Sequence, residues 1–532
     1  MVVSIEYVGK LAKTTKADRD TDGKLKTLKN IVVLENDVPA EDRSLCEEAG
    51  LQVFTLEQLY QKGKEVAKES STREPTPDQC SAFSYTSGTT GDPKGVKLTH
   101  KMLVQAQYAV WVRAQQKELN KFTDAIDETD SYISYLPAAH SFEQCVMAMH
   151  LITGMKAGFY AGNTLKLTED IGILRPTLFP SVPRLYNKIY GKIKDGLAAK
   201  KGVVAWLATK AVNAKLYNLK NGGGVHHGFY DKVIFKKMKA ILGGRVKLMI
   251  TGSAPIAGDV LDFLKICFSS PICEGYGMTE TCAGSVITFQ NDPQTGIVGG
   301  PLQNVKLRLR DIPEMNYFSQ GTQEDPTPKG EVMFWGPSIM QGYFKNPEKT
   351  AESFHDGWLL SGDVGLVYPN GALKIIDRAK NIFKLSQGEY IAPEKLENVY
   401  VKSSWVAQVW IHGDSLQNNV VAFIVPEPAP CKAYADEKGI AYKEGEEGGM
   451  ATLFADQGLK QAVLDDLCEL AAAAKFNSLE KPCQLCLLEE PFTIENEFLT
   501  PTMKMKRNVA KAKLADKITE LYAMPIMKPS KK

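Results

Sequence analysis

Residues 84–96 read SYTSGTTGDPKGV, and Thr86 to Gly95 packs four Ser/Thr hydroxyls, three glycines and one lysine into ten positions. Glycines let backbone N–H groups approach an anion, hydroxyls donate to it, and a lysine supplies charge. The stretch is therefore expected to hold phosphate. It is not the nucleotide-binding signature GxxxxGK[ST], because Pro93 precedes Lys94 and Gly95 follows it. CSAFSYTS (80–87) reads as a strand entering the loop, and HKMLVQAQYAVWVRAQQ (100–116) has helical spacing after it. A strand-to-helix turn would add a helix N-terminus to the cradle.

Working outward, strand and helix signals alternate. IVVLEND (31–37) and LQVFTLEQLYQKGKEVAKES (51–70) precede the loop. After it come SYISYLP (131–137) with FEQCVMAMHLITGM (142–155), and RVKLMITG (245–252) with GDVLDFLKIC (258–267). This pattern predicts an α/β fold with a mainly parallel sheet, whose ligands bind at the carboxyl ends of the strands. From about residue 297, short strands such as KLRLRDIP, GEVMFWGP and GLVYPNGALKIIDR predict a small antiparallel subdomain. Beyond Asp377, VAQVWIHGD, NVVAFIVPEP and GLKQAVLDDLCELAAAAKF predict a compact α+β tail. Residues 427–452, rich in Gly, Pro and charge, read as a loop.

Composition narrows the function classes. The 532 residues exceed what one hydrophobic core fills, so two or more domains are expected. A formal net charge of +2 gives no footprint for nucleic acid. The ten cysteines are scattered, which favours a reducing compartment, and Cys483-Gln-Leu-Cys486 lacks the second ligand pair of a zinc site. No signal peptide or membrane-spanning run is present in these residues.

Further motifs follow in order: YLPAAHSFEQ (135–144), TGSAPIAGDV (251–260), EGYGMTET (274–281), DGWLLSGDVG (356–365), IIDRAKNIFKLSQGEYIAPEKLENVY (375–400) and LTPTMKMKRN (499–508). With the opening stretch, this set resembles the adenylate-forming ligases, the superfamily of acyl-CoA synthetases, firefly luciferase and nonribosomal adenylation domains. The run from Ile375 with VAQVWIHGDSLQ and TPTMKMKR is similar to eukaryotic long-chain fatty acyl-CoA synthetases. Relatives acting on coumarate or acetate carry Gly where this chain has Met503.

The resemblance implies a large AMP-binding domain over 1–376, a hinge at 377–381 and a small mobile lid over 382–532. It also implies a leading segment longer than the 83 residues before the loop, so the large domain is expected to lack its opening part. The implied reaction couples a fatty acid to coenzyme A through acyl-AMP, with ATP as co-substrate and Mg²⁺ as cofactor. The alternatives are an adenylating ligase for another carboxylate, and a nucleotide- or acyl-binding member without turnover.

Residue roles follow from the matched motifs. Thr86, Ser87, Gly88, Thr89, Thr90 and Lys94 are expected to hold the β- and γ-phosphates, with Glu280 and Thr86 as Mg²⁺ ligands. Thr279 is expected at the α-phosphate and Tyr276 against the adenine. Gly252, Ser253, Ala254, Glu274, Gly275 and Gly277 line the same nucleotide site. Asp363 and Arg378 are the ribose group, and Lys504, with Lys506 as its rival, is the adenylating lysine. His140 is expected beside the acyl and thiol route, or as a helix N-cap or packed core group. Asp377 and Lys380 belong to the pivot, which brings Gly388-Glu389-Tyr390 inward for thiolation. Segments 158–163, 175–190 and 284–290 are expected to line an apolar acyl tunnel. The implied location is the cytoplasm or the cytosolic face of a membrane, the endoplasmic reticulum by resemblance, with peripheral membrane contact.

Overall fold

The computed structural model describes residues 1–21, 23–66, 74–86, 93–115, 126–290, 292–443, 446, 448–500 and 503–530. They form two compact units, Met1–Thr76 and Pro77–Lys532. In the first unit, strands Val2–Val3, Asn30–Val33 and Gln52–Thr55 pair in parallel. Val8, Ala12, Ile31, Val33, Cys46 and Leu51 form its core.

The second unit is built on a seven-stranded sheet. Its spatial order is Gly300–Pro301, Ala283–Ile287, Ile272–Met278, Leu248–Thr251, Leu178–Ser181, Ser131–Ser134 and Lys156–Phe159. The last five of these run parallel and the first two are antiparallel additions. Ser131–Ser134, Leu178–Ser181 and Leu248–Thr251 are buried at every position, as expected of strands covered by helices on both faces. Helix Gly258–Phe268 lays Val260, Leu261, Leu264 and Phe268 into the core with Phe179 and Tyr186.

The antiparallel subdomain is present: Lys306–Arg310, Lys329–Trp335, Trp358–Val367 and Phe354–His355 lie in order, and Leu373–Arg378 pairs with Trp358–Val367. The C-terminal part pairs Val406–His412 antiparallel with Val420–Pro426, which runs parallel to Pro482–Leu487. Helices Pro393–Tyr400 and Gln457–Ala473 cover this sheet.

Two local expectations are overturned. The phosphate loop is not a strand-to-helix turn at the edge of the parallel sheet. It joins two antiparallel strands, Cys80–Thr86 and Lys94–Thr99, in a ladder of their own, with Thr86 opposite Lys94. The reason lies in Lys94–Thr99, where Val96 and Leu98, two positions apart and so on one face of a strand, are fully buried. The helix starts only at His100, where the Thr99 hydroxyl accepts from the Met102 N–H at 3.2 Å. Secondly, Pro428–Lys438 is a helix rather than loop. Proline is tolerated in a first helical turn, Cys431 and Ala435 share the buried face one turn apart, and Gly439 ends the helix at φ 67°.

Candidate active site

The TGSA and EGYG motifs meet because their strands are neighbours. Glu274 pairs with Thr251 across the parallel ladder, so Gly252-Ser253-Ala254 and Gly275-Tyr276-Gly277 emerge side by side at the carboxyl ends of their strands. Ser253 takes a φ of 73° at this turn. Gly277 cannot carry a side chain, since a Cβ there would lie 1.6 Å from the carbonyl oxygen of Ala283. Burial pushes the Glu274 carboxyl up to about 8, and its Oε2 has no hydrogen-bond partner among the described residues.

Tyr276 reaches from this strand to the antiparallel subdomain. Its hydroxyl donates to Oδ2 of Asp363 at 2.6 Å, and the Arg378 Nε lies 3.4 Å from Oδ1. Asp363 and Arg378 are direct cross-strand partners, which fixes that pair by register. Burial raises the Asp363 carboxyl, against the pull of Arg378, Tyr276 and Lys504.

Glu280 lies one turn beyond EGYG and is buried. Its Oε1 accepts from the Tyr343 hydroxyl at 2.7 Å, and its backbone carbonyl accepts from the Met340 N–H at 2.8 Å. Tyr343 is held there by the loop hairpin, because Val96 bridges Tyr343 and the Phe344 N–H donates to the Gly95 carbonyl at 2.7 Å. The Lys94 ammonium sits 5.0 Å from the Tyr343 ring centroid. Thr86, Lys94, Tyr343 and Glu280 are thereby tied into one chain of contacts. Ser87, Gly88, Thr89 and Thr90 lie outside the described residues. Thr279 opens the short turn Thr279–Thr281 that carries Glu280. The donor set of a buried carboxylate beside a hydroxyl fits a hard, oxygen-preferring divalent cation.

Lys504 enters from the C-terminal part. Its N–H donates to the Thr500 hydroxyl at 3.1 Å, and its carbonyl accepts from the Thr500 N–H at 2.8 Å. Met503 just before it adopts φ 63°, the region glycine favours. Burial and Arg378 lower the Lys504 pKa, while Glu394, Asp363 and Glu280 raise it. The ammonium therefore stands in the field of the site carboxylates. Lys506 instead occupies the N-cap of helix Arg507–Lys513.

His140 caps helix Ser141–Thr153: its Nδ1 accepts from the Phe142 N–H at 3.2 Å. Burial and the Lys504 charge hold its pKa down to about 4, which keeps the ring neutral. Glu143 is fully buried and accepts from the Ser134 hydroxyl at 2.6 Å. At the pivot, Asp377 Oδ1 accepts from the Arg378 N–H at 2.6 Å and Oδ2 from the Glu394 N–H at 2.9 Å. Burial, with Glu394 beside it, pushes the Asp377 carboxyl above the usual carboxylate range, against the pull of Arg507 and its two backbone donors. Lys380 is exposed.

Sequence reasoning missed Tyr343, Glu394, the Arg507–Glu397 pair and the Lys402–Asp259 contact. Arg507 grips both oxygens of Glu397, at 2.9 and 2.5 Å. Glu394 and Glu397 lie inside the motif from Ile375, Arg507 inside LTPTMKMKRN and Asp259 inside TGSAPIAGDV, but Tyr343 carries no local signal. The expected tunnel segments differ in their surroundings. Phe179, Tyr186 and Ile189 are packed in the core. Ile287, Thr288, Phe289 and Gln290 border, with Val110 and Met149, a cavity of about 20 Å³, the room of a water molecule.

Comparison with known proteins gives concordant results. The family described as AMP-binding enzyme matches residues 2–344. The chain is 42% identical over 481 residues to "Long chain acyl-CoA synthetase 7, peroxisomal" of Arabidopsis thaliana, an alignment covering 90% of this chain and 66% of that protein. It is 37% identical over 522 residues to "Long-chain-fatty-acid--CoA ligase 1" of Cavia porcellus, covering 98% and 72%. Among solved structures, it is similar to the A domain of carboxylic acid reductase from Segniliparus rugosus in complex with AMP and a co-purified carboxylic acid. That likeness has a TM-score of 0.73 and 26% identity, over 98% of this chain and 74% of the other.

Proposed function

The chain belongs to the AMP-binding enzyme family, and on that premise we propose that it is a long-chain-fatty-acid–CoA ligase. The observation that carries the reading is the convergence of Lys504 with Glu280, Asp363, Arg378 and His140 around the EGYG and TGSA turns. The names of the relatives favour a long-chain acyl substrate.

In the first half-reaction an oxygen of the fatty carboxylate attacks the α-phosphorus of ATP. The bond to pyrophosphate breaks and acyl-AMP remains. Lys504 bridges the carboxylate and the α-phosphate, offsetting the charge that builds during attack. Thr86 to Thr90 and Lys94 hold the departing pyrophosphate. Asp363 accepts from the ribose hydroxyls with Arg378 beside it, and Tyr276 presents its ring to the adenine between Gly275 and Gly277. Glu280 and Thr86 would hold Mg²⁺, which screens phosphate charge when bound. In the second half-reaction the coenzyme A thiol loses its proton and its sulfur attacks the acyl carbonyl, expelling AMP.

One site serves both steps if residues 382–532 turn about Asp377–Asn381, swinging Lys504 out and Gly388-Glu389-Tyr390 in, while 1–376 holds the nucleotide. Among the described residues no helix is long and apolar enough to cross a membrane. The proposed location is the cytoplasm or the cytosolic face of a membrane, the endoplasmic reticulum by resemblance, with peripheral membrane contact.

The test is exchange of labelled pyrophosphate into ATP, stimulated by palmitate and not by coumarate or acetate. Lys504→Ala should lose exchange by about 100- to 1000-fold while still forming thioester from supplied acyl-AMP. Exchange driven by coumarate or acetate identifies a ligase for another carboxylate. ATP binding with no exchange for any acid overturns the ligase reading.

A further inference from the structure

Helices Pro183–Ala198 and Gly202–Lys220 are joined by a tight turn, and the second begins with an exposed apolar group. Val203, Val204 and Trp206, in the first turns of the second helix, are 78%, 54% and 58% exposed. The same helix buries Ala208, Ala211, Lys215 and Leu219 against the core. Its inner face is therefore occupied, and the outer apolar group is additional to it. Keeping a tryptophan and two valines in water at one spot forfeits the stabilisation that covering them would give.

Charge surrounds this tip. Lys192, Lys194, Lys200, Lys201 and Lys210 are all exposed. Between residues 192 and 210 the five lysines face a single acidic residue, Asp195, a local net charge of +4 in a chain whose total is +2. The Lys210 ammonium lies 4.4 Å from the Trp206 ring centroid, so a lysine charge sits directly against the exposed indole.

An apolar wedge rimmed by lysines suits one kind of partner. Aromatic rings with a polar edge settle at the boundary between lipid headgroups and acyl chains. Lysine stems run along apolar surface while their ammonium groups stay among the headgroups. A helix end with this division lies in the interface plane, drawn by anionic lipid.

We propose that the Lys200–Lys210 tip docks the protein onto an anionic lipid surface. The occupant is chosen by charge complementarity, and by the reading of the substrate as a long-chain fatty acid, an amphiphile that dissolves in the same bilayer. The proposal rests on that reading only for its purpose, since membrane binding and ligation are measured separately.

The experiment is flotation of the full chain with phosphatidylcholine vesicles, with and without phosphatidylserine. The chain should co-float with the phosphatidylserine vesicles. Lys200→Ala with Lys201→Ala should lower partitioning about 30-fold, and Val203→Asp with Trp206→Asp should abolish it. All four sites are exposed, and pyrophosphate exchange with palmitate supplied on albumin should stay unchanged in every variant. Absence of wild-type flotation, or equal flotation of the variants, overturns the proposal. So does a Trp206-dependent dimer in vesicle-free sedimentation, which would assign the tip to a second copy. Flotation as expected without palmitate exchange leaves the docking surface standing and removes the ligase reading.

Discussion

The hydroxyl of Tyr276 donates to Asp363 at 2.6 Å across 87 positions of sequence, tying the proposed adenine contact to the proposed ribose contact. On that proposal one side chain has two duties, a ring for the base and a phenol for the carboxylate. Tyr276→Phe keeps the first and removes the second. It should leave the KM for ATP within about 3-fold while lowering stability by about 1–3 kcal/mol, the cost of stranding a buried acceptor. Tyr276→Ala should raise that KM by 10-fold or more, about what the loss of one stacked ring costs. Urea midpoints and pyrophosphate-exchange kinetics on both variants check this. A phenylalanine variant as poor in KM as the alanine one would reassign the ring.

Glu274 makes stability depend on pH. Burial lifts its folded pKa to about 8, far above an unfolded glutamate near 4.3. The folded chain therefore binds the proton more tightly than the unfolded chain. The stabilisation is complete below the unfolded pKa and is lost as pH rises through about 8. Glu274→Gln, which cannot ionise, should flatten that dependence. Its unfolding free energy from urea titration should exceed that of the parent at pH 9, by on the order of 2 kcal/mol, and differ less at pH 6. A parallel loss in both proteins from pH 6 to 9 would place the titration elsewhere.

Much of this architecture was legible because it is carried by short-range patterns. The alternating strands and helices, the antiparallel subdomain and the C-terminal sheet follow from apolar periodicity and turn residues. Met278-Thr279-Glu280 follows the EGYG strand as the motif order implied. What escaped depends on long-range register. Nothing near Tyr343 announces that it will meet Glu280, because the contact is set by the pairing of Val96 with the 343 segment. Lys94–Thr99 has only two buried apolar positions, too few to outweigh the strong helix signal from His100. Pro428 and Pro430 read as helix breakers, although a first turn accepts them.

Met503 holds a backbone conformation that suits glycine, with φ 63° beside Lys504. A left-handed residue with a Cβ costs about 1–2 kcal/mol, part of which glycine gives back through the greater freedom of its unfolded chain. Met503→Gly should therefore be neutral to about 1 kcal/mol more stable, and should keep Lys504 in register and pyrophosphate exchange intact. Thermal unfolding together with exchange rates reads both effects. A destabilised variant would mean that the Met503 side chain, 38% exposed, packs more than it strains.

The Lys402 ammonium lies 2.6 Å from Oδ1 of Asp259, in the first turn of helix Gly258–Phe268. It joins the C-terminal part to the sheet-bearing part across the proposed pivot at Asp377. In this arrangement Lys504 stands in the field of the site carboxylates, so under the proposed lid rotation the contact would belong to the adenylating form and break when the lid turns. Asp259 is 61% exposed at its side chain, which limits such a pair to about 1 kcal/mol or less. That is small for folding but sufficient to bias two lid positions of similar energy. Lys402→Ala should slow pyrophosphate exchange about 2–5-fold and leave thioester formation from supplied acyl-AMP equal or faster. The exchanged pair, Lys402→Asp with Asp259→Lys, should recover exchange, and added salt should mimic the alanine variant in the parent. Equal slowing of both half-reactions would show a contact that supports the fold without choosing a lid position. A selective loss in the first half-reaction, reversed by the charge exchange, is the outcome expected of a latch.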